Sequence, residues 1–202
     1  MWEEPCISGT RGSGTVFFTG CVLKCVFCQN SVLAESKVGK PVTVSRLAEI
    51  FLELQNKGAH NINLVTPTHF VPSIRESIIL SKKNGLSVPI VYNTGSYESV
   101  DTIKSLEGLV DIYLPDLKYV SSELSKKYSK AGDYFEVARK AIDEMVRQTG
   151  TSEFDDDGIM KKGVIVRHLL LPGCLSDSKN VIKYLYDTYR DDIFISIMNQ
   201  YT

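Results

Sequence analysis

The chain has 202 residues, 43% hydrophobic and 23% charged, enough to remove most of its apolar surface from water without a disulfide or structural metal, so any metal site is expected to serve chemistry. Lys and Arg number 23 against 24 Asp and Glu, a formal charge of -1, which supplies no whole-molecule field to favour nucleic acid or an anionic membrane. No apolar run approaches the roughly 20 residues that span a bilayer, and Met1-Trp2-Glu3-Glu4-Pro5 has neither the basic flank nor the apolar stretch of a signal peptide, so a cytoplasmic protein is expected.

Apolar runs and helical patterns alternate along the chain. Thr15 to Phe18 reads as a strand ending at Gly20, with a cysteine-rich loop directly after it. Leu47, Ile50, Phe51 and Leu54 share one helix face that Ser45 could cap and Gly58 could end. A second strand at 62–65 precedes a helix with Pro72 in its first turn, Ile74 and Ile78 on its apolar face, and Lys82-Lys83-Asn84-Gly85 at its close. Val88 to Tyr92 is a third strand, Val100, Ile103 and Leu106 mark a third helix ending at Gly108, and Leu109 to Leu114 is a fourth strand.

The stretch from 121 to 162 is longer than one crossover needs. Asp133 and Glu136 have capping-box spacing ahead of a helix ending near Gly150, and Asp155-Asp156-Asp157-Gly158 reads as a solvated turn, without the ligand spacing or closing Glu of an EF-hand. A fifth strand at 163–171, a helix face of Ile182, Leu185, Tyr186 and Tyr189, and a sixth strand at 193–198 complete the pattern. Six strands, the first five each followed by helix, imply a parallel sheet with right-handed crossovers. At roughly 31 residues per unit, six units need about 190, so the fold expected is a partial (β/α)6 barrel in one domain, 1–202, with 1–13 as a preamble. Chemistry in such sheets collects at the C-terminal strand ends, where the cysteine loop lies.

Five cysteines stand at 6, 21, 25, 28 and 174, three of them within eight residues, a poor basis for a disulfide framework. Cys21-x3-Cys25-x2-Cys28 lets one short loop direct three thiolates at three irons of a 4Fe-4S cube and leaves the fourth iron open. Two other readings stand beside it: a zinc site with Cys6, His69, Cys174 or His168 as fourth ligand, and a closed four-Cys electron-transfer cluster completed by Cys6 or Cys174.

With Phe27 just before the third cysteine, the loop resembles that of the radical S-adenosylmethionine (SAM) superfamily. Trp2 to Pro5, Ile7 to Thr10, Gly12 to Thr15, Thr66 to Phe70, Asp111 to Lys118, Leu171 to Gly173 and Met198 to Tyr201 together resemble the pyruvate formate-lyase activating enzymes, and within them the PflX-like group. The resemblance implies an oxidoreductase that cleaves SAM at a 4Fe-4S cluster to a 5'-deoxyadenosyl radical, with a glycyl-radical enzyme as protein partner and flavodoxin or ferredoxin as electron donor. It implies that Cys21, Cys25 and Cys28 hold the cluster and that Phe27 packs beside the adenine or the cluster edge.

Activases usually carry Gly-Gly-Glu after the second strand to receive the SAM amino group. Thr66-Pro67-Thr68-His69 stands here instead, so Thr66, Thr68, His69 or a carbonyl must substitute. Asn93-Thr94-Gly95 is similar to an activase turn at which glycine lets backbone approach the ligand. Asp116 and Lys118 are similar to an Asp-Leu-Lys motif, the carboxylate near ribose or a monovalent cation and the Lys near the SAM carboxylate; at i and i+2 they share one face of an extended segment. Arg167 matches an Arg facing the same SAM carboxylate and is costly to bury in an apolar strand without an anion. His168 is expected on the opposite face, and Cys6 and Cys174 as bystanders. A peptide, an RNA base or a metabolite is the alternative radical target, and a silent Fe-S or zinc module the alternative of another class. Relatives in the narrower group carry more chain at both ends, so this sequence reads as a catalytic core.

Overall fold

A computed structural model describes residues 4–35 and 38–199; the Trp2-Glu3 and Gln200-Tyr201 portions of the motifs above lie outside them. Helix α1 (Pro5–Ser8) leads to strand β1 (Gly14–Phe17), and the cysteine loop then runs to a short helix, α2 (Ser31–Ala34). Next come α3 (Val44–Asn56), β2 (Ile62–Val65), a 3-10 turn at Thr68–Phe70, α4 (Val71–Lys83), β3 (Ile90–Thr94), α5 (Val100–Lys104) and β4 (Ile112–Pro115). The chain continues through α6 (Ser122–Ser129), α7 (Tyr134–Thr149), β5 (Glu153–Phe154), β6 (Met160–Leu169), α8 (Leu175–Tyr189) and β7 (Phe194–Met198).

Six strands are parallel, in the order β1-β2-β3-β4-β6-β7, and β5 is a two-residue antiparallel addition to the start of β6. The six-unit alternation expected from the sequence is therefore present, with a seventh strand that is too short to carry a period. Among the described residues β1 and β7 do not pair with each other, so the barrel is open on that side.

Strand parity sorts the two faces of the sheet. Ile90, Tyr92, Tyr113, Val164 and Val166 join the main core, which also holds Phe51, Ile74, Ile78, Ala138, Ile142, Val181 and Leu185 from the helices. Val91, Ile112, Leu114 and Ile165 face the other way, where Ile7 of α1, Met160 and the half-buried Cys6 pack on them. Continuing each inner row two residues toward the strand ends gives Asn93, Asp116 and Arg167. The inner face is thus an apolar floor beneath a polar upper layer.

Local details depart from the sequence reading. Thr43, not Ser45, caps α3, its hydroxyl accepting from the Arg46 amide at 3.2 Å. Asp133 makes no side-chain cap on α7; its carboxylate takes the Tyr97 hydroxyl at 2.7 Å instead. The buried face of α8 is Val181, Leu185 and Tyr189, while Tyr186 is exposed with Arg190 packed over its ring. Strand β3 extends to Thr94 because Asn93 and Thr94 pair with Leu114 and Pro115, so the expected 93–95 turn begins inside a strand. Among the described residues no helix is long and apolar enough to cross a membrane.

Candidate functional site

A cavity of about 400 Å³ opens at the C-terminal ends of the parallel strands. Cys21, Cys25, Phe27 and Cys28 line it from the loop after β1, Thr66 and Thr68 from just after β2, Asn93, Thr94 and Gly95 from the end of β3, Asp116 and Lys118 from just after β4, and Arg167 from β6. Twelve of the thirteen residues singled out in the sequence share this one space. His69 lines an adjoining shallow depression with Gly20, Cys21 and Lys24. His168 is buried away from the cavity with its Nδ1 2.8 Å from the Leu117 carbonyl, and neither Cys6 nor Cys174 lines it.

The cysteine loop is held from two sides. Gly20 and Cys21 amides donate to the Leu33 and Ala34 carbonyls at 2.9 and 3.1 Å, and Lys24 and Val26 amides donate to the Ser129 and Tyr128 carbonyls at 3.1 and 2.9 Å. The C-terminus of α6 therefore grips the loop through backbone, and the Ser129 hydroxyl lies 3.0 Å from both the Cys25 sulfur and the Tyr119 hydroxyl. Gly95 allows the loop to close on β3, since a Cβ there would stand 3.1 Å from Leu23.

The same cavity holds a charged triad. Asp116 Oδ1 accepts from Arg167 Nε at 2.9 Å and Nη2 at 2.8 Å, while Oδ2 accepts from Lys118 Nζ at 2.6 Å. Arg167 Nη2 also donates to Asn93 Oδ1 at 2.7 Å, and Lys118 Nζ lies 6.0 Å from the Phe27 ring centroid. Burial works to raise the Asp116 carboxyl, but Arg167 and Lys118 outweigh it and hold the group below its ordinary value. Lys118 is likewise pushed toward neutrality by burial, and Asp116 overcomes this and raises it. Both Asp116 oxygens carry cationic partners, so the expected monovalent cation would have to compete with them.

Four residues outside the sequence reading complete the site. The Tyr134 hydroxyl lies 2.9 Å from the Gly95 carbonyl and 2.7 Å from the Asp116 carbonyl, sharing its proton between them, and accepts from the Lys118 amide at 3.1 Å. Tyr97, at the cavity wall, stacks on Tyr134 with ring planes 9° apart. Glu98 accepts hydroxyls from Thr68, Thr94 and Tyr92. Ser129 is the fourth. Glu98 carried a usable signal, an acid within four residues of a parallel strand's C-terminal end; Tyr134, at the head of a distant helix, carried none.

The donor set fits a three-cysteine cluster. Burial raises the Cys21 and Cys28 thiols and neighbouring sulfurs add to the rise, while Lys118 acts against it, so the thiols share one electrostatic neighbourhood. Among the described residues no three His, Cys, Asp or Glu side chains converge as a single-ion site. Three half-buried thiols on a roomy cavity that also carries Asp116, Lys118 and Arg167 suit a multi-iron cofactor with one open iron.

The family model for the radical SAM superfamily matches residues 15–154, and the chain belongs to that superfamily. It is 29% identical over 198 residues to an uncharacterized protein, MJ0674, of Methanocaldococcus jannaschii, covering 94% of this chain and 53% of the relative. The chain thus spans about half the length of that curated relative. Three solved structures share its fold at low identity. SuiB of Streptococcus suis, bound to the precursor peptide SuiA, superposes with a TM-score of 0.62 at 14% identity over 92% of this chain and 39% of SuiB. HydG, a maturase of the [FeFe]-hydrogenase, gives 0.59 at 14% over 96% of this chain and 45% of its own. Methylornithine synthase, PylB, gives 0.55 at 16% over 92% and 53%.

Proposed function

We propose that the chain carries the catalytic core of a cytoplasmic enzyme that generates a 5'-deoxyadenosyl radical from SAM and uses it to abstract hydrogen from a glycine of a partner protein. The observation that carries the radical chemistry is the convergence on one cavity of three cluster-type cysteines with polar residues from the ends of β2, β3, β4 and β6. Bound there, the 4Fe-4S cluster and SAM supply one-electron cleavage of the sulfonium and a carbon radical that removes a hydrogen atom.

The chain's own residues bind and orient. Cys21, Cys25 and Cys28 would hold the cluster, and Phe27 would pack beside the adenine or the cluster edge. Arg167 and Lys118, with two positive charges against the single negative charge of Asp116, keep an excess that suits the SAM carboxylate. Asn93 and Gly95 offer an amide and backbone to the nucleoside. The apolar floor of Val91, Ile112, Leu114 and Ile165 keeps water from beneath the site. A glycine target is supported by the activase-like motifs, and a small flavodoxin- or ferredoxin-type donor would supply the electron. Thr66-Pro67-Thr68-His69 in place of Gly-Gly-Glu favours, as the second reading, a different peptide or metabolite target.

Anaerobic reconstitution, followed by SAM and dithionite, should release 5'-deoxyadenosine and methionine. An intact cluster that yields neither would overturn the catalytic reading. Cys25→Ala should abolish both cluster absorbance and nucleoside. A doublet in the EPR spectrum of a co-purifying protein after turnover identifies the glycyl acceptor, and a mass change on a small molecule without such a doublet selects the second reading.

A further inference from the structure

Three hydroxyls converge on one oxygen of a buried carboxylate behind the cavity wall. Glu98 is 2% exposed, and its Oε1 accepts from Thr68 Oγ1 at 2.6 Å, Thr94 Oγ1 at 2.6 Å and the Tyr92 hydroxyl at 3.2 Å. Its Oε2 is buried without a hydrogen-bond partner. Among the described residues it forms no ion pair with Lys, Arg or His. Burial raises its carboxyl, against the three hydroxyls and a smaller opposing effect of His69. An uncompensated acid this deep is costly to keep, and the backbone beside it is strained: Thr66 and Ser96 adopt φ of 58° and 65°, the left-handed region that β-branched threonine rarely enters.

The arrangement fixes the polarity of the hydroxyls. A threonine has one proton, and those of Thr68 and Thr94 are committed to Glu98, so both oxygens can only accept elsewhere. Thr94 Oγ1 already takes the Ser96 amide at 3.2 Å; Thr68 Oγ1, on the cavity wall, keeps its acceptor capacity. The cavity is therefore electrically divided. The β4 and β6 side holds two cations and one anion, and the β2 and β3 side holds a carboxylate with no Lys or Arg paired to it among the described residues. A zwitterionic amino acid lying across it would meet a complementary charge at each end.

We propose that Glu98 is a positioning residue which, through Thr68, receives the ammonium group of the amino-acid portion of SAM, whose carboxylate faces Lys118 and Arg167. The assignment rests on the SAM-binding reading above and supplies from the loop after β3 an acid that the segment after β2 lacks.

The test compares S-adenosylhomocysteine with its desamino analogue, each titrated calorimetrically into the anaerobically reconstituted protein, with no turnover involved. Glu98→Gln should weaken S-adenosylhomocysteine about tenfold and leave the desamino analogue within about twofold. Thr68→Val should repeat the selective loss and Thr68→Ser should restore wild-type affinity, so the assignment stays testable if Glu98→Gln folds poorly. Equal weakening of both ligands, or none, overturns the role given to Glu98. Wild-type protein that binds neither ligand overturns the cofactor reading itself, a result distinct from unselective weakening.

Discussion

Asp116 and Arg167 meet across neighbouring parallel strands, side chain to side chain at 2.8 Å, and the strands pair at the same level. The ion pair is a product of register: β4 and β6 bring these two positions level above the apolar floor. Removing the acid strands two cations in a part-buried site, so Asp116→Asn should cost about 3 kcal/mol at neutral pH. The Asp116 carboxyl is depressed in the folded chain. Its contribution is therefore complete above the unfolded value near 4 and is lost as pH falls through the lower folded value. Urea titrations of the apo chain should show the wild-type advantage over Asp116→Asn shrinking below about pH 4; a constant gap would contradict the assignment.

Tyr134→Phe removes the one hydroxyl that ties Gly95, Asp116 and Lys118 together. The unmade bonds leave buried backbone groups short of a partner, and a loss of about 2 kcal/mol in unfolding free energy is expected. Chemical denaturation reads it directly, and an unchanged midpoint would show that water replaces the hydroxyl.

Gly95→Ala should strain the cysteine loop, because the new methyl meets Leu23 at 3.1 Å. The expected cost is about 1 to 2 kcal/mol. Leu23→Ala should itself destabilise by opening a hole, yet the pair together should cost less than the sum of the two. Strict additivity would mean the contact carries no strain.

Ser129→Ala removes a hydroxyl partner from Cys25 and Tyr119 but leaves the backbone bonds from residues 128 and 129 in place. Stability should fall by about 1 kcal/mol, while iron and sulfide content after reconstitution stays at the wild-type level. Loss of iron in this variant would show that the side chain, and not the backbone, holds the loop.

The parallel sheet was legible because its signals are local: apolar runs, helix faces and glycine stops recur through the chain. The site was legible where chemistry and parity coincide, as in the three cysteines and in Asp116 and Lys118. Helix α6 was not. Its sequence, Ser-Glu-Leu-Ser-Lys-Lys-Tyr-Ser, packs only Leu124 and Tyr128 against the core and buries Ser125 and Ser129 beside them, so its apolar face is too short to stand out. Asp133 reads as a helix cap from spacing alone, and a hydroxyl 36 residues away claims its carboxylate. Glu98 could be marked by its place just after a strand end, but its burial and its partners could not, since Thr68 and Tyr92 supply them from other segments.

The grip of α6 on the cysteine loop also sets an order of events. Residues 24 and 26 bond to carbonyls of 129 and 128, so the loop cannot take its final shape while the ribosome has yet to deliver the crossover after the fourth strand. Domain folding during synthesis follows chain emergence. Three nearby cysteines emerge early and acquire their mould late, so iron delivery that waits for the far crossover would meet a shaped loop, and delivery before it a slack one.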